Sequence, residues 1–268
     1  MEYNGKTGIA NIRIFAVKVK TEDVDFDALI NPATGERFNL ASNHFLMEDK
    51  VHVDNLSFNA CNYTLDNVMV LNAHSRGFLV KSRDVTIKHC TFRNVSYNAI
   101  LVRSETEYAE SSISKNVLIR QCLFDHTGYI FEGIVDKNQA VIRIQGASTT
   151  VSEDTLPIDN ITITGCKFTN NDQRVAIWVN SAKNVKITNN TFDPIVGDDL
   201  PLIPGTAILL DTCMGVEISD NTYNLKQYAE NGNDVKTVIQ GNNYKNIFGT
   251  DVVDENGASL LPDKISGQ

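Results

Sequence analysis

The chain has 268 residues, 42% hydrophobic and 21% charged, with 24 basic against 33 acidic side chains for a formal net charge of −9. That acidity argues against a nucleic-acid partner, which needs a basic face to displace phosphate counterions, and no apolar stretch approaches the ~18 residues of a membrane span. The five cysteines contain no CxxC pair, which argues against zinc, and an odd number cannot all pair within the chain.

In chain order, residues 1–50 show a patch of alternation (Ile12, Ile14, Ala16, Lys18) and read as N-terminal strands or a cap; no basic and apolar signal segment opens them. A repeat then begins, faint in VHVDNLSF at Val51 and DNVMVLNAHS at Asp66. It is clear in RDVTIKHCTF (Arg83 to Phe92), KNVLIRQCLF (Lys115 to Phe124), DNITITGCKF (Asp159 to Phe168), KNVKITNNTF (Lys183 to Phe192) and MGVEISDNTY (Met214 to Tyr223). Each copy alternates apolar and polar residues, turns through polar ones and closes on an aromatic, so it predicts a strand, a corner and a second strand. Short β-branched runs follow at Ala99–Val102, Ala140–Ile144, Val175–Val179 and Ala207–Leu210, too short for helices.

Strands without intervening helices cannot make a βαβ sheet. They predict an all-β right-handed parallel β-helix, a solenoid in which equivalent positions stack about 4.8 Å apart. The residue two before each aromatic is then a ladder: Cys90, Cys122, Cys166, Asn190, Asn221. We place the solenoid at residues 51–245 and a C-terminal tail at 246–268, KTVIQGNNYKN supplying a last rung. Aromatic spacings longer than the 24 residues from Phe168 to Phe192 require excursions, at Glu105–Ser114, Tyr129–Lys137, Thr149–Pro157 and Val196–Pro204. Loops leaving a rigid scaffold carry function often enough to be searched first.

No GxSxG, HExxH, GxxxxGK or GxGxxG motif occurs. The densest polar run is RSETEYAESS, with Arg103, Glu105, Glu107, Tyr108 and Glu110. Glycoside hydrolysis needs one protonated and one ionised carboxylate, and crowded acids raise one another's pKa; Glu105 and Glu110 are the candidate catalytic pair. An acidic surface loop reads equally well from the same residues. Arg76, with His74, Arg103 and Tyr108, is a candidate for substrate binding, since a guanidinium can fork hydrogen bonds to sugar hydroxyls; the competing reading is an Arg–Glu pair between rungs. Arg143, inside the run AVIRI, should face outward. Trp178, the only tryptophan, reads more readily as core than as a sugar platform, and His126 more readily as structural than as groove.

The run from Asn72 to Phe124 resembles the parallel β-helix α-1,3-galactosidases of glycoside hydrolase family 110. Asn72, Arg76 and Gly77 match its first element, Ala99, Ile100 and Leu101 its second, and Glu110-Ser111 its third; the likeness extends over residues 66 to 224. Arg103-Ser104-Glu105 stands where that family has Glu-Gly-Asp, and its upstream Asp-Asp element has no counterpart in residues 1–65. The resemblance implies a secreted (extracellular or periplasmic) inverting glycoside hydrolase without a cofactor, acting on terminal α-linked galactose or a related sugar within an oligosaccharide or polysaccharide. Two alternatives stand beside it: a non-catalytic glycan-binding or structural β-helix, and a polysaccharide lyase using a basic patch of Arg76, Lys81, Arg83, Lys88 and Arg103.

Overall fold

The computed structural model describes residues 2–4, 9–11, 61–104, 113–128, 140–146, 148, 150–171, 175–194, 207–223, 237–239 and 244–251. Two compact units divide the chain, Met1–Asn59 and Ala60–Gln268. In the first, β1 (Glu2–Asn4) and β2 (Ile9–Asn11) form an antiparallel pair with Tyr3 opposite Ala10.

The second unit is a coil of parallel strands with three walls. The leading wall stacks β3 (Cys61–Asp66), β6 (Arg83–Lys88), β9 (Ser114–Arg120) and β12 (Ile158–Thr164). The aromatic wall stacks β4 (Met69–Ala73), β7 (Thr91–Val95), β10 (Leu123–Thr127), β13 (Lys167–Asn171), β15 (Thr191–Pro194) and β17 (Thr222–Tyr223). The trailing wall begins with β5 (Phe78–Val80), β8 (Ile100–Arg103) and β11 (Ala140–Gln145). Higher in the coil, β14 (Val175–Thr188) and β16 (Ile208–Ser219) each belong to two walls, trailing first and leading after a bend at Ser181 (φ 55°) or Thr212 (φ 48°). The last rung closes with β18 (Thr237–Ile239) and β19 (Tyr244–Phe248), both on β16, so β19 crosses the boundary at 245 that the sequence suggested.

The repeat phrase builds the interior directly. Its alternating apolar residues, such as Val85, Ile87, Val117, Ile119, Ile161 and Ile163, are buried from the leading wall. Its aromatics form a continuous stack from the aromatic wall, Phe92 to Phe124 to Phe168 to Phe192 to Tyr223, with ring centroids 5.2, 4.9, 5.0 and 5.1 Å apart. Near-parallel rings follow from identical positions repeating at the strand spacing.

On six rungs the corner from leading to aromatic wall is two residues long: Asn67-Val68, His89-Cys90, Gln121-Cys122, Gly165-Cys166, Asn189-Asn190 and Asp220-Asn221. The first of each pair has positive φ, between 52° and 64°, where Asn, Asp, His and Gly are the least strained choices. From Cys90 to Asn221 the second residue forms the expected ladder, whereas Val68 on the first described rung is exposed. Asn190 Nδ2 donates to Ile163 O (3.0 Å) and to Asn221 Oδ1 (3.0 Å), while Asn190 Oδ1 accepts from Cys166 N (2.9 Å). Asp251 continues the ladder by accepting from Asn221 N and Nδ2, both at 2.8 Å. The cysteines are all free thiols, and Cys90, Cys122, Cys166 and Cys213 are buried. Hydrogen bonding with Cys166, then burial, pushes the Cys122 thiol well up.

Columns of positive-φ residues also link the rungs outside the coil. Asn116 Nδ2 donates to Asp84 Oδ1 (2.7 Å), Asn160 Nδ2 to Asn116 Oδ1 (2.8 Å), and Asn94 Nδ2 to Asn72 Oδ1 (2.9 Å). His126, at φ 53°, bonds Asn94 Oδ1 through Nδ1 (2.9 Å), so it stands in this column on the aromatic wall.

Candidate functional site

Among the described strands, the long connections are those at the two edges of the trailing wall. Where the aromatic wall passes to the trailing wall, the chain runs through 128–139, 195–207 and 224–236; where the trailing wall passes to the leading wall, it runs through 104–113 and 146–157. Among the described strands, the trailing wall is thus the one joined at both edges by long connections, which makes its outer face the candidate floor of a site.

That floor carries two rows of side chains in register. One row is Leu79, Leu101, Arg143, Trp178, Leu209; the other is Arg103, Gln145, Asn180, Asp211. They face outward because Ile142, Ile144, Ile177 and Val179 fill the interior. The floor is largely covered all the same: Leu101, Trp178 and Leu209 retain only 4, 5 and 4% of their exposure. Ala140, Trp178 and Leu209 form an apolar cluster separate from the core of the coil. The Arg143 guanidinium lies over the Trp178 ring, 4.7 Å from its centroid, which lets a partly buried cation rest on an indole face. Arg143 therefore faces out as expected. Trp178 is buried core as expected, but in the small outer cluster and not inside the coil: two consecutive inward residues, Ala176 and Ile177, shift the alternation and turn the indole to the outer face.

The polar row is held by its own hydrogen bonds. Asn180 Nδ2 donates to Asp211 Oδ2 (3.0 Å), Ser181 Oγ to Asn180 Oδ1 (2.8 Å), and Thr212 Oγ1 to Asp211 Oδ1 (3.1 Å). Trp178 Nε1 and Gln145 Oε1 are among the buried floor atoms that have no such partner among the described residues.

The sequence candidates fall around this floor. His74 and Arg76 are exposed in the corner that enters the trailing wall on the first described rung, and Arg103 ends β8 at the opposite edge, one rung on. Gly77, beside Arg76, has a structural reason to be glycine: a Cβ would lie 2.6 Å from Ala99 O and 2.8 Å from Phe92 Cδ1 on the next rung. Glu105, Tyr108 and Glu110 lie outside the described residues, in the excursion that follows Ser104. Trp178, Gln145, Asn180 and Asp211 were not singled out together by sequence, though their positions in successive apolar runs carried the signal. Among the described residues, no cluster of His, Cys, Asp and Glu is arranged to hold a metal ion.

Comparison with known proteins gives a family and distant fold relatives. No curated protein matches the sequence. A solved structure from Parabacteroides merdae ATCC 43184, described as a "putative glycosyl hydrolase", aligns with 72% of this chain and 83% of its own at 14% identity and a TM-score of 0.45, too remote to bear on activity. The family described as "Right handed beta helix region" matches residues 54–262, which takes in every rung of the coil. The handedness agrees with the strong preference of parallel crossovers for the right-handed turn. The chain belongs to that right-handed β-helix family.

Proposed function

We propose that this β-helix is a carbohydrate-active protein whose groove is the outer face of the trailing wall, and that it is a glycoside hydrolase acting on terminal α-linked galactose or a related sugar. The observation that supports the reading is the floor itself: an indole, two guanidiniums, two amides and a carboxylate on one sheet face, with the long connections at its two edges. Aromatic and amide groups on an apolar base are what a sugar's C–H faces and hydroxyls require.

In this reading the excursion after Ser104 brings the acids. One of Glu105 and Glu110, kept protonated by its neighbours, releases the leaving group while the other activates water, with inversion if about 6.5–9.5 Å separates them. Arg76 and Arg103 orient the sugar from the two edges, with His74 and Tyr108 beside them. The protein then works outside the cytoplasm, on oligosaccharide or polysaccharide, without a cofactor.

The test is sugar release from a panel of α-galactosides, α-N-acetylgalactosaminides and uronic-acid polymers, comparing wild type with Glu110→Gln. Release from a neutral α-glycoside that falls at least about 100-fold in the variant is expected for loss of an acid–base group. A cooperatively melting protein that releases nothing would leave the groove as a binding surface, a reading the covered, tryptophan-bearing floor also supports.

A further inference from the structure

We propose that Asp211 and Asn180, neighbours on the outer face of the trailing wall, bind two adjacent hydroxyl groups of a sugar ring, one donating to the carboxylate and the other accepting from the amide. The two residues hold matching positions on β16 and β14, about 4.8 Å apart. Both are partly exposed, whereas Trp178 and Leu209, two positions earlier on the same face, are buried. On these two strands the pair is therefore the polar part of the floor that solvent reaches.

Their orientation follows from their hydrogen bonds. A carboxylate only accepts, so the amide nitrogen of Asn180 must be the atom turned to Asp211, and it donates to Oδ2 (3.0 Å). Thr212 Oγ1 donates to the other carboxylate oxygen (3.1 Å), and Ser181 Oγ to the Asn180 carbonyl oxygen (2.8 Å). Ser181 and Thr212 are themselves buried, so two covered hydroxyls hold two accessible side chains in place. One amide hydrogen of Asn180 and the remaining lone pairs of Asp211 then lie side by side, with no hydrogen-bond partner among the described residues. A metal ion or an ammonium group would suit the carboxylate but meet the amide hydrogen. Arg143, stacked on Trp178, and Arg103 bring positive charge to the floor from β11 and β8, so an anion has its place nearer those strands. Beside Asp211, on β16, it would meet like charge. Adjacent sugar hydroxyls satisfy both groups of the pair, because each hydroxyl can donate or accept.

This rests on the carbohydrate reading of the floor but not on hydrolysis. The experiment titrates the full chain calorimetrically with methyl α-galactoside, methyl α-N-acetylgalactosaminide and methyl α-glucoside, then with the monodeoxy forms of whichever binds. We expect saturable binding of at least one glycoside, with removal of either of two neighbouring hydroxyls weakening it at least about 5-fold. Asp211→Asn can keep both internal bonds, its carbonyl accepting from Asn180 and its amide donating to Thr212, so its thermal midpoint should stay close to that of wild type. It should still bind at least about 10-fold more weakly, because the charge-assisted bond to the sugar is lost. The deoxy form that lacks the hydroxyl on Asp211 should bind wild type and variant within about 2-fold of each other. The deoxy series needs wild type alone and stands whether or not the variant folds. Unchanged affinity in Asp211→Asn, or a wild-type affinity indifferent to every pair of neighbouring hydroxyls, would overturn the proposal and leave the carbohydrate reading standing. No binding of any of the glycosides would overturn both. Binding without Glu110-dependent sugar release would sink the hydrolase and leave this pair in place.

Discussion

The corner between the leading and aromatic walls and the two corners around the trailing wall obey different rules. The first is two residues long on five successive rungs from His89-Cys90 to Asp220-Asn221, with a positive-φ residue followed by a ladder residue. The others range from the single residue Ser181 to the run 195–207. A stacked corner is a shared constraint, because each rung's turn must hydrogen-bond to the turns above and below it. A corner that opens into an excursion is released from its neighbours and can vary without loosening the coil. Stability should therefore concentrate in the ladders and chemistry around the trailing wall.

The most severe way to break that contrast is through the aromatic stack. Phe124 is fully buried between Phe92 and Phe168. Phe124→Ala should cost about 3–5 kcal/mol in chemical denaturation, the usual price of an aromatic cavity in a core that cannot collapse around it. A smaller effect sharpens the contrast at the turns. Asn116 sits at φ 55°, donates to Asp84 and accepts from Asn160. Asn116→Ala should lose about 1–2 kcal/mol through the left-handed backbone and the broken column, and Asn116→Gly should recover the backbone part alone. Glu153→Ala, which removes an exposed carboxylate paired with Lys183 in the connection 146–157, should change stability by less than about 0.5 kcal/mol. If Glu153→Ala proved as damaging as Asn116→Ala, the division between ladder and excursion would fail.

The same division decides what the sequence disclosed. The ladders were legible because stacking repeats residue types: Cys90, Cys122 and Cys166 at one corner, and Phe or Tyr two positions on. Asp251 was missed as the ladder's last member because no aromatic follows it to complete the phrase. The trailing wall was legible as strand but not as a site. Its runs, Ala99–Val102 and Val175–Val179 among them, contain two consecutive inward residues, so simple alternation does not say which side chain points out. Arg143 was assignable because a charge cannot face such a core, whereas Trp178 fits either side and only the register across β11, β14 and β16 decides. The acids of residues 105–110 were legible as a cluster, but their role depends on an excursion that no repeat constrains.

The smallest effect expected separates the ladders by pH. Burial acts to raise the Asp159 carboxyl, but hydrogen bonds from Lys115 (2.8 Å) and Asn184 (2.8 Å) outweigh it and hold the group below the usual carboxylate range. Asp125 is held low in the same way, its burial outweighed by Asn170 and Arg93. Folded values below the unfolded one, about 3.9, mean that the unfolded chain takes up protons first as pH falls. The stabilisation is therefore complete above that value and is lost as pH drops from about 4 through the depressed folded values. Each pair lies at the surface, so the loss should be only a few tenths of a kcal/mol, roughly what exposed ion pairs contribute. Denaturation of wild type, Asp125→Asn and Asp159→Asn between pH 6 and pH 2.5 measures it: both variants should start less stable and lose less on acidification. Parallel curves would mean that the rungs are joined at these columns by neutral hydrogen bonds, with the charges idle.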